Sequence, residues 1–309
     1  MLEYVKQFIR NWRDYPLQPG DVVRGRYEIA EWLGMGSYGL SYRCIDRTDG
    51  SEVALKQAKP SRRRLAAALL LRERDALLAM DHPFIPRCRE FFADRRSQWL
   101  AADYVRGRTL EDLIFEEGQV YEEADCLGWM LELLDRIAYV HARGYVHLDI
   151  RIPNVMMGES GLYLIDFGLA RRIGEEEGLA PDGSPLPARM PARVTSDLED
   201  AGHLLLYMLY SGYSPPGKGS ESGSAEKPFA WYRAKGKRDE SGRVGESGRA
   251  DESMSGSLPE AGMSWQQELK LSERTTVLLR RLLQLDHPYL NAEEASAAVR
   301  VCLEHLQSS

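Results

Sequence analysis

The chain has 309 residues, of which 43% are hydrophobic and 28% are charged. This composition is typical of a globular protein and excludes wholesale disorder. The length predicts one large domain or two lobes. The 47 acidic residues outnumber the 40 basic residues, giving a net charge of -7, and this balance argues against a general nucleic-acid-binding protein.

The cysteines and the apolar segments predict a cytoplasmic protein without a transmembrane segment. The four cysteines are widely separated and none forms a Cys-x-x-Cys pair, so free thiols in a reducing compartment are expected. No apolar run reaches the roughly 20 residues that a membrane-spanning helix needs. Lys6, Arg10 and Arg13 interrupt the apolar residues near the start of the chain, which is unlike a signal peptide.

Residues 1–20 predict an amphipathic helix. Apolar side chains from Leu2 to Trp12 recur at helical spacing, and prolines and a glycine then end the pattern. Such a helix either docks on the rest of the protein or anchors it to a membrane. Because Glu3 and Asp14 dilute its basic face, docking is the favoured interpretation.

Residues 21–105 predict a small β-rich lobe with one main helix. Short β-type runs separated by turn residues indicate five strands: Tyr27–Leu33, Leu40–Ile45, Glu52–Lys56, Arg87–Phe92 and Trp99–Val105. A helical pattern lies between the third and fourth of these runs. We expect it to be capped by Ser61 and to extend to about Met80.

Residues 106–309 predict a larger and mainly helical lobe. The segments with helical periodicity are Thr109–Glu116, Glu122–Ala142, Leu198–Tyr210 and Thr275–Gln284. Val155–Met157 and Leu162–Ile165 indicate a hairpin between them. Residues 214–263 are rich in Ser, Gly, Lys and Glu and poor in apolar residues, so we expect a disordered insertion there. The fold class is therefore α+β with two lobes.

A glycine-rich motif follows the first predicted strand, with the sequence Gly34-Met35-Gly36-Ser37-Tyr38-Gly39. In a dinucleotide-binding fold this motif opens a helix, whereas here β-type sequence lies on both sides. That context favours a hairpin loop whose backbone N–H groups cover a phosphate chain. A second glycine segment, residues 212–218, lacks the Ser or Thr that a P-loop places after its lysine.

Lys56 ends an otherwise apolar strand, Val53-Ala54-Leu55-Lys56. A buried ammonium needs a counter-charge, and Glu73 on the following helix is placed to supply one. Taken alone, Lys56 is better interpreted as a surface lysine whose stem lies along apolar side chains.

Three further polar residues are candidates for metal and proton chemistry. Asp149 and Asn154 belong to the run His147-Leu148-Asp149-Ile150-Arg151-Ile152-Pro153-Asn154, and Asp166 opens Asp166-Phe167-Gly168 after another β-type run. Carboxylate and amide oxygens are hard ligands suited to Mg²⁺, which also binds substrate phosphates.

In this order, these motifs resemble those of the protein kinase family, most closely its serine/threonine branch. The resemblance extends from about Tyr27 to Leu285, apart from residues 214–263. It implies a bilobal protein-kinase-like fold, with ATP and Mg²⁺ as cofactors and Ser/Thr-containing proteins as substrates.

The resemblance also implies roles for individual residues. It implies that Lys56, Asp149 and Arg151 are catalytic, with Lys56 holding the α and β phosphates and Asp149 accepting the substrate hydroxyl proton. It implies that Asn154 and Asp166 bind metal, and that Ser196-Asp197 begins a helix whose Asp197 holds the catalytic loop. The implied nucleotide-binding residues are Gly34, Met35, Gly36, Ser37, Gly39, Ala54, Lys56, Glu73, Asp103, Val105, Asn154 and Asp166, with the backbone of Asp103 and Val105 at the adenine edge.

Several positions depart from the family pattern. Leu148 replaces the arginine that commonly neutralises an activation-loop phosphate, so we expect that phosphorylation of Ser184 or Thr195 is not required for activity. Arg151 replaces the usual lysine, and Ser41 replaces a valine of the adenine site. The Ala-Pro-Glu motif is not visible, and Arg189-Met190-Pro191-Ala192-Arg193 occupies its region.

The resulting hypothesis is a protein kinase that transfers the γ-phosphoryl group of Mg-ATP to serine or threonine hydroxyls. Two alternatives stay open: a kinase-like enzyme that phosphorylates a small molecule, and an ATP-binding scaffold without catalysis. A catalytically inactive scaffold normally lacks at least one of the residues that correspond to Lys56, Asp149 and Asp166. All three are present in this chain.

Overall fold

The computed structural model of the chain describes residues 14–95, 97–176, 178, 190–213 and 265–308. The predicted helical pattern at residues 2–13, the possible phosphorylation site Ser184 and the predicted insertion at 214–263 lie outside the described residues.

A six-stranded antiparallel sheet forms the N-terminal part. Its strands are β1 Val22–Val23, β2 Tyr27–Met35, β3 Gly39–Asp46, β4 Glu52–Ala58, β5 Cys88–Ala93 and β6 Gln98–Asp103. They are hydrogen bonded in the order β1-β2-β3-β4-β6-β5. Burial alternates along β3 and most of β4, as expected for a sheet with one apolar face. Tyr27, Tyr42 and Trp99 fill its core.

Helix α1 (Arg63–Leu78) packs beside this sheet and follows a 3₁₀ turn at Pro60–Arg62. The expected cap by Ser61 is wrong. Within the described chain α1 has no side-chain cap at its N-terminus, because the 3₁₀ turn removes Ser61 from the cap position. Ser61 donates instead from its backbone N–H and its hydroxyl to the carboxylate of Asp14, at 2.9 and 2.5 Å.

The C-terminal part is mainly helical. Its helices are α2 Leu110–Phe115, α3 Glu123–Ala142, α4 Val194–Leu209, α5 Trp265–Glu268, α6 Glu273–Leu282 and α7 Ala292–Ser308. Strands β7 Gly107–Thr109, β9 Val155–Gly158 and β10 Gly161–Leu164 form a small sheet, and β8 Tyr145–Val146 pairs with β11 Arg171–Arg172. Helix α3 lies at the centre and contacts both α4 and α7.

One apolar core joins the two parts. It includes Leu70 and Leu77 on α1, Leu100 on β6 and the buried face of α3. Helix α1 is therefore packed against both the sheet and the helical part. The predicted α+β architecture, with a β-rich N-terminal part and a helical C-terminal part, is confirmed. Among the described residues, no helix is long and apolar enough to cross a membrane.

An ion-pair cluster links the start of β2 to the end of β3 and to β5. Arg26 donates to both carboxylate oxygens of Asp46 at 2.7–3.0 Å, and Asp46 is only 1% exposed. Arg26 also pairs with Glu90, which accepts from the Tyr27 hydroxyl at 2.7 Å. The Arg26 hydrogen bonds hold the pKa of Asp46 well below its ordinary value.

We expect Asp46→Asn to lower the melting temperature by about 2–6 °C at neutral pH, because a buried charge-assisted hydrogen bond is lost. The folded-state pKa of Asp46 lies below its unfolded value of about 3.9. The ionised carboxylate therefore stabilises the protein above that pH, and the contribution is lost as pH falls. Thermal unfolding between neutral pH and pH 3 should show a weaker acid dependence in the variant.

The matched control for Asp46→Asn is Glu28→Gln, which removes an exposed ion pair with Arg47. It should leave the melting temperature nearly unchanged. Equal acid dependence in wild type and Asp46→Asn would show that the Asp46 carboxylate is not a stabilising group.

Candidate active site

A partly buried ammonium connects the two parts of the molecule. Lys56 lies on β4, opposite Ser41 of β3 and Leu100 of β6, so its strand is interior to the sheet. Its Nζ donates to Oε1 of Glu73 on α1 and, at 3.0 Å, to Oδ1 of Asp166. The Glu73 side chain is only 6% exposed. The alternative interpretation of Lys56, a surface lysine whose stem lies along apolar side chains, is therefore wrong.

Burial and charge act in opposite directions on these three groups. Burial lowers the pKa of Lys56, but the carboxylates of Asp166 and Glu73 outweigh it and raise this pKa above its ordinary value. Burial raises the pKa of Glu73 to about 7, against the opposing effect of Lys56. Burial also acts to raise the pKa of Asp166, but the Lys56 ammonium outweighs it and lowers that pKa. One cation is thus shared by two carboxyl groups. These carboxyl groups can therefore interact with a second cation.

The turn that carries Asp166 is held in an uncommon conformation. Asp166 has φ +65°, in the left-handed region, and its side chain accepts from the Gly168 N–H at 3.3 Å. A Cβ on Gly168 would lie 3.2 Å from the Asp166 Oδ1. Phe167 is fully buried and packs edge-on against His147, with ring centroids 4.7 Å apart. These contacts fix the carboxylate beside Lys56, where strain is tolerated because its surroundings enforce it.

Asp149 is held by two neighbours from its own loop. The amide nitrogen of Asn154 donates to the backbone oxygen and to Oδ2 of Asp149, at 2.9 and 2.8 Å. Arg151 places its Nε 3.2 Å from the other carboxylate oxygen. The Asp149 side chain is 11% exposed, so it is confined but still open to one side.

Helix α4 holds the loop that carries Asp149 through hydrogen bonds to its Asp197 carboxylate. Asp197 is fully buried and accepts the backbone N–H groups of His147 and Leu148 at 2.8 and 2.7 Å, together with the Nε2 of His141 at 2.9 Å. Leu148 has φ +62°, a strained value for a branched residue. The two hydrogen bonds that the His147 and Leu148 N–H groups donate to Asp197 offset this strain.

Asp200 adds a third support that the sequence analysis missed. It is buried on the same face of α4 and accepts the Ile150 N–H at 3.2 Å. Its spacing of three residues from Asp197 puts both carboxylates on one side of the helix, and this signal was present in the sequence.

A cavity of about 370 Å³ lies where these elements meet. It is lined by Lys56, Glu73, Asp149, Arg151 and Asp166, together with Gly36, Ser37, Tyr38, Gly39 and apolar residues of α1. The glycine-rich motif forms the hairpin between β2 and β3, and the Gly36 N–H donates to the Gly39 oxygen at 2.9 Å. The predicted loop, cation and carboxylates thus share one cavity.

Other predicted site residues do not line this cavity. Gly34 and Met35 lie at the end of β2, Ala54 pairs with Ala102 in the sheet, and Asn154 lies behind Asp149. Asp103 and Val105 line a second cavity of about 330 Å³. Asp103 is engaged there through its backbone N–H to Arg87 and its carboxylate to Arg89.

The donor set fits a magnesium ion that shares its coordination with phosphates. In the part of the chain that the structure describes, no group of three or more His, Cys, Asp or Glu residues could hold a metal alone. Asn154 and Asp166 offer two side-chain oxygens, because the Asn154 nitrogen is directed to Asp149. Mg²⁺ is commonly held by one or two such ligands plus substrate phosphates and water.

We expect Asp197→Asn to destabilise the loop around Asp149, since an amide cannot accept from three donors as a carboxylate does. Hydrogen exchange at His147 and Leu148 should accelerate, and the melting temperature should fall. Glu199→Gln is the matched control, because Glu199 is on the same helix and its carboxylate accepts a hydrogen bond from Gln284. Unchanged exchange in Asp197→Asn would contradict this role.

The known proteins that this chain resembles are protein kinases. The protein kinase domain model matches residues 27–185. The probable serine/threonine-protein kinase YbdM of Bacillus subtilis (strain 168) is 29% identical over 278 residues, covering 89% of each chain. A calcium/calmodulin-dependent protein kinase type II of Caenorhabditis briggsae is 30% identical over 203 residues, 61% of this chain and 37% of that protein.

Solved structures show the same fold. The crystal structure of the Mycobacterium tuberculosis PknI kinase domain covers 93% of this chain and 99% of its own, with a TM-score of 0.57 at 19% identity. A mutant of that domain gives a TM-score of 0.61 at 18% identity. With more than half of its length matched by the domain model, the chain belongs to the protein kinase family.

Proposed function

We propose that this chain is a serine/threonine protein kinase that transfers the γ-phosphoryl group of Mg-ATP to hydroxyl groups of proteins. The observation that carries the proposal is the cavity shared by Lys56, Asp149 and Asp166. Phosphoryl transfer requires positioning and neutralisation of charge more than covalent chemistry. A cation and two carboxylates around one space beneath a glycine-rich hairpin supply both.

The nucleotide-binding part of the proposal assigns phosphates to the hairpin and to Lys56. The backbone N–H groups of Gly34 to Gly39 cover the phosphate chain, and the Lys56 ammonium binds the α and β phosphates. Its pairing with Glu73 supports this role because the ion pair fixes the direction of a flexible side chain. Adenine lies against Ala54 and the backbone of Asp103 and Val105.

Asn154 and Asp166 are the proposed magnesium ligands. When bound, the ion neutralises charge on the phosphate oxygens. Asp166 is suited to this role because its pKa is lowered beside Lys56, so it stays ionised at neutral pH.

Asp149 is the proposed catalytic base. The substrate hydroxyl oxygen forms a bond to the γ-phosphorus, the bond from that phosphorus to the β–γ bridging oxygen breaks, and the hydroxyl proton passes to Asp149. ADP leaves with the electron pair of the broken bond. Asn154 and Arg151 orient the carboxylate through their contacts with its two oxygens, and Arg151 adds positive charge near the transferred group.

The choice of a protein substrate rests on the family match and on the relatives named as serine/threonine kinases. A cytoplasmic location belongs to the same proposal, supported by the free thiol state of Cys44, Cys88, Cys126 and Cys302. Thr195, one of the two suggested phosphorylation sites, lies in the first turn of α4.

We expect Asp149→Asn to reduce phosphorylation of a generic Ser/Thr protein substrate by at least about 100-fold, because a general base contributes about 10²–10⁴-fold. Incorporation of label from γ-labelled ATP, followed by phosphoamino-acid analysis, measures it. Asp81→Asn is the matched control, since Asp81 is exposed, pairs with Arg87 and is not among the residues that line the cavity. Equal labelling by wild type and Asp149→Asn would refute the proposal, and label found only in a small molecule would replace it with a metabolite kinase.

We expect Mg-ATP to raise the melting temperature, with a stabilisation of about 2.7 kcal/mol at 100 times the dissociation constant. Asp166→Asn should reduce this shift because one proposed magnesium ligand is lost, whereas Asp94→Asn should not. Absence of any shift in wild type at millimolar Mg-ATP would contradict nucleotide binding. A normal shift without phosphorylation would support the scaffold alternative.

A further inference from the structure

An ion pair joins α1 to the segment that follows Asp166. Arg72 precedes Glu73 on α1, and its Nη2 lies 3.6 Å from Oε1 of Glu175. The Arg72 side chain is only 14% exposed, whereas Glu175 is 38% exposed. Glu175 thus pairs with Arg72, which is next to Glu73 on α1.

The segment around Glu175 is itself fixed by several hydrogen bonds. The second carboxylate oxygen of Glu175 accepts the Arg172 N–H at 3.0 Å. Arg171 is 2% exposed and donates to the backbone oxygens of Glu175, at 3.4 Å, and Met190. The Gly174 N–H donates to the Ala192 oxygen at 2.8 Å. Glu175 is therefore presented to Arg72 by an ordered turn.

Arg72 is partly buried and Arg171 is buried, and the charge of these two cations lacks full compensation. Burial and the charge of Arg171 lower the pKa of Arg72, and Glu175 opposes this effect. The Nη1 of Arg72 and the Nε of Arg171 are buried without a hydrogen-bond partner among the described residues. A buried guanidinium is costly without a counter-charge, and Glu175 is the carboxylate that reaches Arg72.

At the position before Asp149, the catalytic loop carries the apolar side chain of Leu148 and not a cation. Leu148 is 1% exposed and packs with Val146 and Ala192, with Leu169 and Met190 beside them. Apolar contacts thus tie the catalytic loop to both ends of the segment. These contacts are made by apolar side chains and by the carboxylate of Glu175.

We propose that Arg72 and Glu175 form a constitutive link that positions α1 so that Glu73 meets Lys56 without phosphorylation of the segment. The proposal rests on the proposed kinase function. Neither residue touches the reacting groups, so both are positioning residues. The link acts through one helix, since Arg72 and Glu73 are adjacent on α1 and move together.

The test uses the full chain with Glu175→Gln and Arg72→Met. Because the pair is partly exposed, we expect each to lower kcat by about 3- to 10-fold while KM for the protein substrate stays unchanged. Hydrogen exchange of α1 amides should accelerate in both. Glu176→Gln, a change at the adjacent exposed residue, is the matched control and should behave as wild type.

Rescue separates positioning from a general structural effect. Glu175→Asp should retain part of the activity, and the double change Arg72→Glu with Glu175→Arg should be more active than Arg72→Glu alone. Phosphatase treatment of wild type should leave kcat unchanged. If Glu175→Gln or Arg72→Met fails to fold, Glu175→Asp tests the link instead. Its α1 hydrogen exchange and its kcat are then compared with those of wild type.

Unchanged kcat and α1 exchange in Glu175→Gln would overturn the link, as would loss of wild-type activity after phosphatase treatment. These results differ from failure of the proposed function. If wild type phosphorylated no protein, the α1 exchange of Glu175→Gln and Arg72→Met would still support or refute the link.

Discussion

The sharing of one partly buried ammonium between two carboxyl groups is the constraint on which the rest of the structure depends. Lys56 comes from the sheet, Glu73 from α1 and Asp166 from a turn of the helical part. Glu73 is the buried member of the three, and it depends on Lys56 because a buried charge without a partner is strongly unfavourable. This contact and the apolar core around α1 together hold the two parts around one cavity.

The helical part supplies a second and more rigid support. Asp197 and Asp200 on α4 receive backbone N–H groups of the loop that carries Asp149. This arrangement keeps Leu148 in a strained conformation and holds the loop that carries Asp149 against α4. The loop is therefore organised by buried carboxylates and by apolar packing of Leu148 rather than by a surface charge.

Local signals allowed much of the fold and of the candidate site to be predicted. The alternation in β3 and β4 and the helical periodicity of α3 were visible in the sequence, and the motif order indicated that Lys56 and Asp166 lie together. Other features depend on tertiary contacts. Ser61 bonds to Asp14 instead of capping α1, and α7 was missed although its buried small residues recur at helical spacing. The Arg72–Glu175 contact has no local signal, because the two residues are far apart in sequence.

The most direct test of the account is a double-mutant cycle on Mg-ATP affinity, with Lys56→Met, Glu73→Gln and the double variant measured by calorimetry. If Glu73 acts by holding Lys56, removing Lys56 also removes the effect of Glu73. The account predicts that the double variant binds no more weakly than Lys56→Met alone. Losses that multiply in the double variant would show that the two residues act independently, which would contradict the central role of this ion pair.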